Sequence, residues 1–161
     1  MPIAPPSEAN NWHQDFIARV IDAFARVTGG DLVAEAGLDP AAPISGNLGR
    51  SAWEGDFVLL THDTNAILTY GNRFALDLWE MDWETLTRTP SRQTAPEEDR
   101  AARAVIMAQV ERDGFTRSYT GRRVSRTGKL FLIENATVFT LRDEEGAGFG
   151  TGAFFKSITR L

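Results

Sequence analysis

Hydrophobic positions recur along this chain with two different periods, and the change from one to the other divides it. Between Asn10 and Val27, the residues Trp12, Phe16, Val20 and Phe24 fall four apart, and Ile17, Ile21 and Val27 widen them into an apolar stripe. That spacing predicts an amphipathic helix, and Gly29-Gly30 supplies its left-handed stop. Asp31 to Ala52 is rich in Gly, Pro, Asn and small residues and reads as a connector, with a short helical stretch possible at Leu32–Ala36. FVLLTHD (57–63) and AILTYG (66–71) then predict two strands around a tight turn at Asp63–Asn65. Asn72 is placed to cap a helix over RFALDLWEM, and residues 82–96 allow short helical turns broken at Pro90 and Pro96. Pro96 with Glu97, Glu98 and Asp99 opens a longer helix reaching about Arg112, with Ala102, Ile106 and Val110 along one face.

From Phe115 onward the period becomes two. Residues 118–125, 129–141 and 149–158 predict three strands, joined by turns at Arg126–Gly128 and Arg142–Gly146. Two strands, a helical excursion and a three-stranded return predict an α+β fold. It is a five-stranded antiparallel sheet with helices packed on one face, preceded by an N-terminal amphipathic helix. The expected divisions are a frayed Pro-rich tail over 1–9, the helix and connector over 10–52, and the core over 53–161, all within one domain.

The last strand contains Gly148-x-Gly150-x-x-Ala153, which has the loose spacing of a dinucleotide fingerprint. Such a loop must open a helix and lead to a further strand, and the eight residues after Ala153 supply neither. Gly148, Gly150 and Gly152 alternate with Phe149 and Thr151, so on a strand they leave one face without side chains. Either neighbouring structure packs closely there or a ligand does.

Composition narrows the chemistry. Cysteine is absent from the 161 residues, which removes disulfides, thiolate nucleophiles and cysteine-ligated metal sites. A net charge of −5 without a polybasic tail disfavours nucleic acid as a partner. No signal-peptide pattern and no membrane-length apolar run is present, which fits a cytoplasmic location. Glu80, Asp82 and Glu84 alternate with Met81 and Trp83, a pattern that in/out burial explains without a catalytic or metal role. The sequence-adjacent His62-Asp63 is the one candidate acid–base dyad, and neighbours at a strand end point apart. Asn135 shares its parity with Phe131, Ile133, Phe139 and Leu141, which places an amide on the bulky apolar face, where it bonds a loop or a ligand. Arg112, Arg117, Arg122, Arg123, Arg126 and Lys129 make the region after the long helix basic, fitting an anion site, an acidic partner or simple solvation of the sheet.

Many short motifs, in order, resemble the MEKHLA family, whose fold is PAS-like. They are Tyr70-Gly71-Asn72-Arg73, Trp79-Glu80-Met81-Asp82-Trp83-Glu84, Pro90-Ser91-Arg92, Tyr119-x-Gly121-x-Arg123-x-Ser125, Thr127-Gly128 and Phe131-x-Ile133-Glu134-Asn135-Ala136-Thr137-Val138. The likeness runs over roughly residues 12–158, although the letters that name the family do not occur in the chain. It implies a small-molecule-binding or sensory and regulatory module, more a binder than an enzyme, with no attached output domain and acting through a protein partner not yet identified. A homodimer through the N-terminal helix is a further implication. Cysteine is absent and residues 97–112 hold no histidine, so the covalent flavin adduct of the photoreceptor class is ruled out and haem is disfavoured. A non-covalent small ligand fits. The ligand-facing candidates are Tyr70, Asn72, Arg73, Trp79, Arg92, Tyr119 and Arg123 from the motifs, with Asn135, Gly150 and Gly152 from the strand reading. Two other classes stay open: a small α+β-barrel-like enzyme with a hydrophobic pocket, and a purely structural dimerisation module.

Overall fold

The computed structural model describes residues 3–38 and 47–161, so the middle of the predicted connector, 39–46, lies outside the described residues. The first long helix, α1 (Gln14–Thr28), begins later than its stripe suggests. Asn11, Trp12 and His13 take left-handed backbone angles within a 3-10 turn over Glu8–His13, which withdraws Trp12 from the helix. Gly29 closes α1 at φ +75°, the conformation that a residue without Cβ adopts most readily. A short α2 (Leu32–Ala36) and α3 (Leu48–Glu54) follow, each N-capped by a side chain, Asp31 and Asn47 respectively.

The strands are β1 (Val58–His62), β2 (Leu68–Gly71), β3 (Phe115–Val124), β4 (Leu130–Arg142), β5 (Gly148–Phe155) and β6 (Ser157–Arg160). They form one antiparallel sheet in the order β2-β1-β5-β4-β3, with β6 also paired to β4. The stretch read as a fifth strand is therefore two, interrupted at Lys156. Between β2 and β3 lie α4 (Arg73–Trp79), α5 (Trp83–Leu86) and α6 (Arg100–Asp113).

Both faces of the sheet are covered. On one, Ile17, Val20 and Phe24 of α1 pack with Leu59, Phe139, Leu141 and Phe154, and the Phe24 and Phe139 rings meet edge to face at 5.0 Å. On the other, Leu78 and Trp79 of α4 pack with Val58, Leu60, Phe131, Ile133 and Phe155. The helical excursion thus roofs one face, and the N-terminal helix takes the opposite one. Its apolar stripe is buried on its own sheet.

Two extra residues decide which side chains reach which face. Three steps from Thr116 to Tyr119 oppose two from Val138 to Ala136, and two from Tyr119 to Gly121 oppose three from Ala136 to Ile133. Ser118 (φ +62°) and Asn135 (φ +55°) sit at these bulges. Each bulge reverses the alternation of its strand. Phe131 and Ile133 consequently face α4, while Phe139 and Leu141 face α1, although all four share parity. Asn135, expected on the apolar face, is exposed instead because it is the residue that the bulge expels.

The N-terminus also departs from the sequence reading. Residues 3–9 are not a frayed tail: the carbonyl of Ile3 accepts from Trp83 Nε1 at 2.9 Å, that of Ala4 bonds the His13 ring, and Pro6 is buried.

Candidate functional site: a cavity between the sheet and the last helix

Helix α6 crosses the sheet face opposite α1, and its inward stripe is only partly the predicted one. Val110 is buried as expected, but Ala102 is exposed and Ile106 half-buried, and Arg103 and Met107 line the space over the sheet. Between α6, the Ser91–Thr94 turn and strands β1, β3, β4 and β5 lies a cavity of about 40 Å³. Apolar side chains form most of its wall, among them Leu60, Leu68, Trp79, Met107, Ile133 and Val138. Polar groups interrupt that wall: Thr61 and His62 on β1, Thr151 on β5, Ser91 and Thr94 in the turn, Arg103 on α6, and Tyr119 and Arg123 on β3. No residue of the lining carries a carboxylate.

Each polar group is held by an identifiable local cause. Trp79 ends α4, and its ring is fixed edge-on to Phe131 at 5.2 Å while Nε1 donates to the Thr94 carbonyl at 3.3 Å. The Thr94 hydroxyl donates to the Ser91 carbonyl at 2.7 Å, closing the turn that presents the Ser91 side chain. His62 Nδ1 lies 2.9 Å from the Asp63 carbonyl. A carbonyl only accepts, so in the neutral ring Nδ1 carries the proton and Nε2 is the acceptor. Burial pulls the His62 pKa down, with the Arg103 charge acting in the same direction, which favours that neutral ring. Asp63 is no partner in a dyad. Its carboxylate accepts from the Asn65 and Ile67 backbone at 2.9 and 3.1 Å, capping the β1–β2 turn.

The two arginines are the unusual feature. Arg123 is only 6% exposed; it donates to the Tyr119 hydroxyl from Nη1 and Nη2 at 3.3 Å each and to the Arg122 carbonyl at 2.8 Å. Its guanidinium also lies over the Tyr119 ring, 5.3 Å from the centroid. Arg103 reaches the Ser91 hydroxyl from Nη2 at 3.2 Å, while its buried Nε has no partner. Burial and the neighbouring Arg123 charge depress the Arg103 pKa to about 10, which still leaves it protonated at neutral pH. Among the described residues neither arginine pairs with an acid. Three basic side chains nearby on β3 and the turn after it are paired instead: Arg117 with Glu35 at 2.8 Å, Arg122 with Asp99 at 2.7 Å and Lys129 with Glu80 at 2.8 Å.

The MEKHLA domain model matches residues 14–160, nearly the whole chain. The chain belongs to the MEKHLA domain family. Solved structures show what fold this MEKHLA domain has. It superimposes on the PAS domain of a protein from Colwellia psychrerythraea with a TM-score of 0.63 and 15% identity, covering 70% of this chain and 94% of that one. An RNA-binding light-oxygen-voltage receptor gives 0.60 and 20%, over 73% of this chain and 34% of that one. A PAS domain from a two-component sensor histidine kinase gives 0.54 and 16%, over 68% and 88%. At such identities the likeness establishes the PAS fold. No curated protein matches the sequence.

Within this MEKHLA domain the candidates read from sequence separate into groups. Trp79, Tyr119, Arg123 and Gly152 line the cavity. Tyr70 is fully buried on the α1 face against Phe16 and Trp83, its hydroxyl unpartnered. Asn72 spends its side chain on structure: Oδ1 accepts from Leu59 and Ala75 N–H groups at 3.2 Å each, and Nδ2 donates to Ala52 and Phe57 carbonyls at 3.0 and 2.8 Å. Arg73, Arg92 and Asn135 are exposed and away from the cavity. Gly150 (φ +146°) brings its backbone against the His62 carbonyl, where a Cβ would sit 2.0 Å from that oxygen. Gly152 leaves room for the Phe139 ring, 2.7 Å from where its Cβ would be, so an aromatic ring covers the smooth face. The close-packing explanation of these two glycines holds. Gly148 is exposed and crowds nothing: its Cβ would lie 3.9 Å from the Leu141 carbonyl.

Sequence reading missed Arg103, Ser91, Thr94 and Met107. Arg103 lies four residues before Met107 on α6, a helical pair that an apolar-stripe search discards because one member is charged. Among the described residues no helix is long and apolar enough to cross a membrane, and no cluster of potential metal ligands occurs.

Proposed function

We propose that this MEKHLA domain is a ligand-binding sensory or regulatory module of PAS type, with its ligand held between the sheet and α6. The observation that carries the reading is the cavity itself, walled mostly by apolar side chains with a few polar groups among them. That is the usual composition of a small-molecule site. The residues assigned to it are Trp79, Tyr119 and Arg123, joined by Ser91, Thr94 and Arg103. An acid–base enzyme finds less support, because the His62 ring and the Asp63 carboxylate are engaged separately.

A homodimer through α1 also loses its best surface. Ile17, Val20, Ala23 and Phe24 are buried on the sheet, and the outward positions are Asp15, Arg19, Asp22 and Arg26. Self-association along α1 would therefore be polar and salt-sensitive, and light scattering at low and high salt measures it.

The test of the main reading is a thermal-shift screen of the purified protein against metabolites and flavins, with native mass spectrometry to detect mass above 17.8 kDa. A binder raises the melting temperature and adds its own mass. Ala136→Val, which narrows the cavity, should weaken every such shift. A screen without hits, together with an Ala136→Val protein that is merely more stable, would sink the proposal.

A further inference from the structure

Two guanidinium groups line one cavity without an opposing carboxylate, whereas Arg117, Arg122 and Lys129 outside it each have one. A buried arginine does not lose its proton, so neutralisation must come from a counter-charge. The hydrogen bonds that Arg103 and Arg123 make go to neutral oxygens, those of Ser91, Tyr119 and the Arg122 backbone, and Arg103 Nε makes none. The site is therefore short of an anion.

We infer that the cavity takes a compact organic monocarboxylate, its two oxygens meeting Arg103 and Arg123 and its short apolar body lying against Leu60, Trp79 and Ile133. This rests on the ligand-binding reading above and gives that ligand a chemical class. A carboxylate is planar with two acceptors on one edge, which matches the donor fork of a guanidinium. Leu60, Leu68, Trp79, Met107, Ile133 and Val138 give hydrocarbon to much of the wall, so a phosphate or sulfate would leave some of its oxygens facing groups that cannot bond them. Size sets the upper bound. About 40 Å³ admits roughly three water-sized groups, which fits formate, and acetate with a small shift of the weakly packed α6, rather than longer acids, a nucleotide or a flavin.

The anchors belong to different elements, Arg103 to α6 and Arg123 to β3. Helix α6 holds only Val110 fully buried and exposes Val105, so packing fixes it weakly. A carboxylate between the two arginines ties α6 to the sheet and cancels their repulsion.

The experiment uses the full chain in chloride buffer. Sodium formate, acetate and butyrate are titrated against sodium chloride of equal ionic strength, with formamide and acetamide as neutral counterparts, and melting and calorimetry are followed. The expected result is a melting rise with formate or acetate, a smaller one or none with butyrate, and none with the amides. Arg103→Met should melt above the native protein in chloride alone, because an unpaired buried charge is gone. It should also bind carboxylate at least about tenfold more weakly. Arg123→Met should show the same loss of response, and Arg103→Met carries the test should Arg123→Met not fold.

Equal responses to acid and amide overturn the carboxylate assignment while leaving the ligand-binding reading intact. So do hits from the metabolite screen that share no carboxylate. An Arg103→Met protein that responds like the native one also overturns the assignment. A protein that responds to no compound of any class overturns both readings.

Discussion

The two faces of one sheet have been given opposite treatments. Under the middle of α1 rings and branched chains pack together: Phe24 on Phe139, Phe57 on Phe154 at 5.5 Å, with Ile17, Val20 and Leu141 between. Under α6 the packing is dense only around Trp79, Phe131 and Phe155, and beyond them it gives way to a void edged by two arginines. Apolar burial stabilises at roughly 25 cal/mol per Å², whereas an unfilled cavity and an unpaired buried charge both cost stability. The α1 face is thus where the fold is held, and the α6 face is where stability has been given up. Such a local departure from good packing is where function is to be sought.

Adjacent residues on β4 put that contrast to the sharpest test, since Val138 lines the cavity and Phe139 is buried under α1. Phe139→Ala should cost about 3–5 kcal/mol, measured by urea unfolding, because it empties a closed core. Val138→Ala should cost about 1–2 kcal/mol, since its neighbours already border a void. Equal losses would erase the distinction between the faces. Next in size is Gly152→Val, whose added methyls meet the Phe139 ring. It should lose about 1–3 kcal/mol through the α1 face, and a neutral result would mean that the ring has somewhere else to go.

The smallest effect concerns the hairpin that carries Arg123. Glu80, in a left-handed C-cap, pairs with Lys129 and accepts from the hydroxyls of Thr127 and Ser125, and these bonds hold its carboxyl down at about 2. A depressed carboxylate contributes stability above its unfolded pKa, and that contribution fades as the pH falls through the folded one. Glu80→Gln should therefore melt a few degrees lower at neutral pH, with the gap closing between pH 4.5 and about 2. A gap that stays constant across that range would show that charge is not what fastens the turn.

Most of the element order was legible because burial on a regular helix or strand writes a period into the sequence. Asn72 could be read as a cap, and the Ala75 N–H bond to its Oδ1 bears that out, whereas its three bonds to Leu59, Ala52 and Phe57 were not legible. The glycine alternation was legible too, and the covering ring on Phe139 explains why Gly152 has no side chain. The site was only half legible. Trp79, Tyr119 and Arg123 came from motifs, whereas Arg103 stayed hidden because an inward charge on an exposed helix contradicts the rule used to find inward faces. Asn135 was misplaced for a related reason. Asn tolerates left-handed backbone angles, so a bulge there was readable in principle, but parity counting assumes a strand without one.

By itself the amino-acid order determined most helices and strands, their antiparallel succession and the family motifs, all of which depend on spacing along one chain. It did not determine α3, read as connector, or the break between β5 and β6. The tertiary structure alone decided which face each side chain joined. One extra residue at Ser118 sends Arg117 out to Glu35 beside α1 and Arg123 into the cavity, although their numbers share parity. The physical reason is that a bulge is fixed by pairing between strands. An arginine's fate depends on whether the surface it meets there carries an acid.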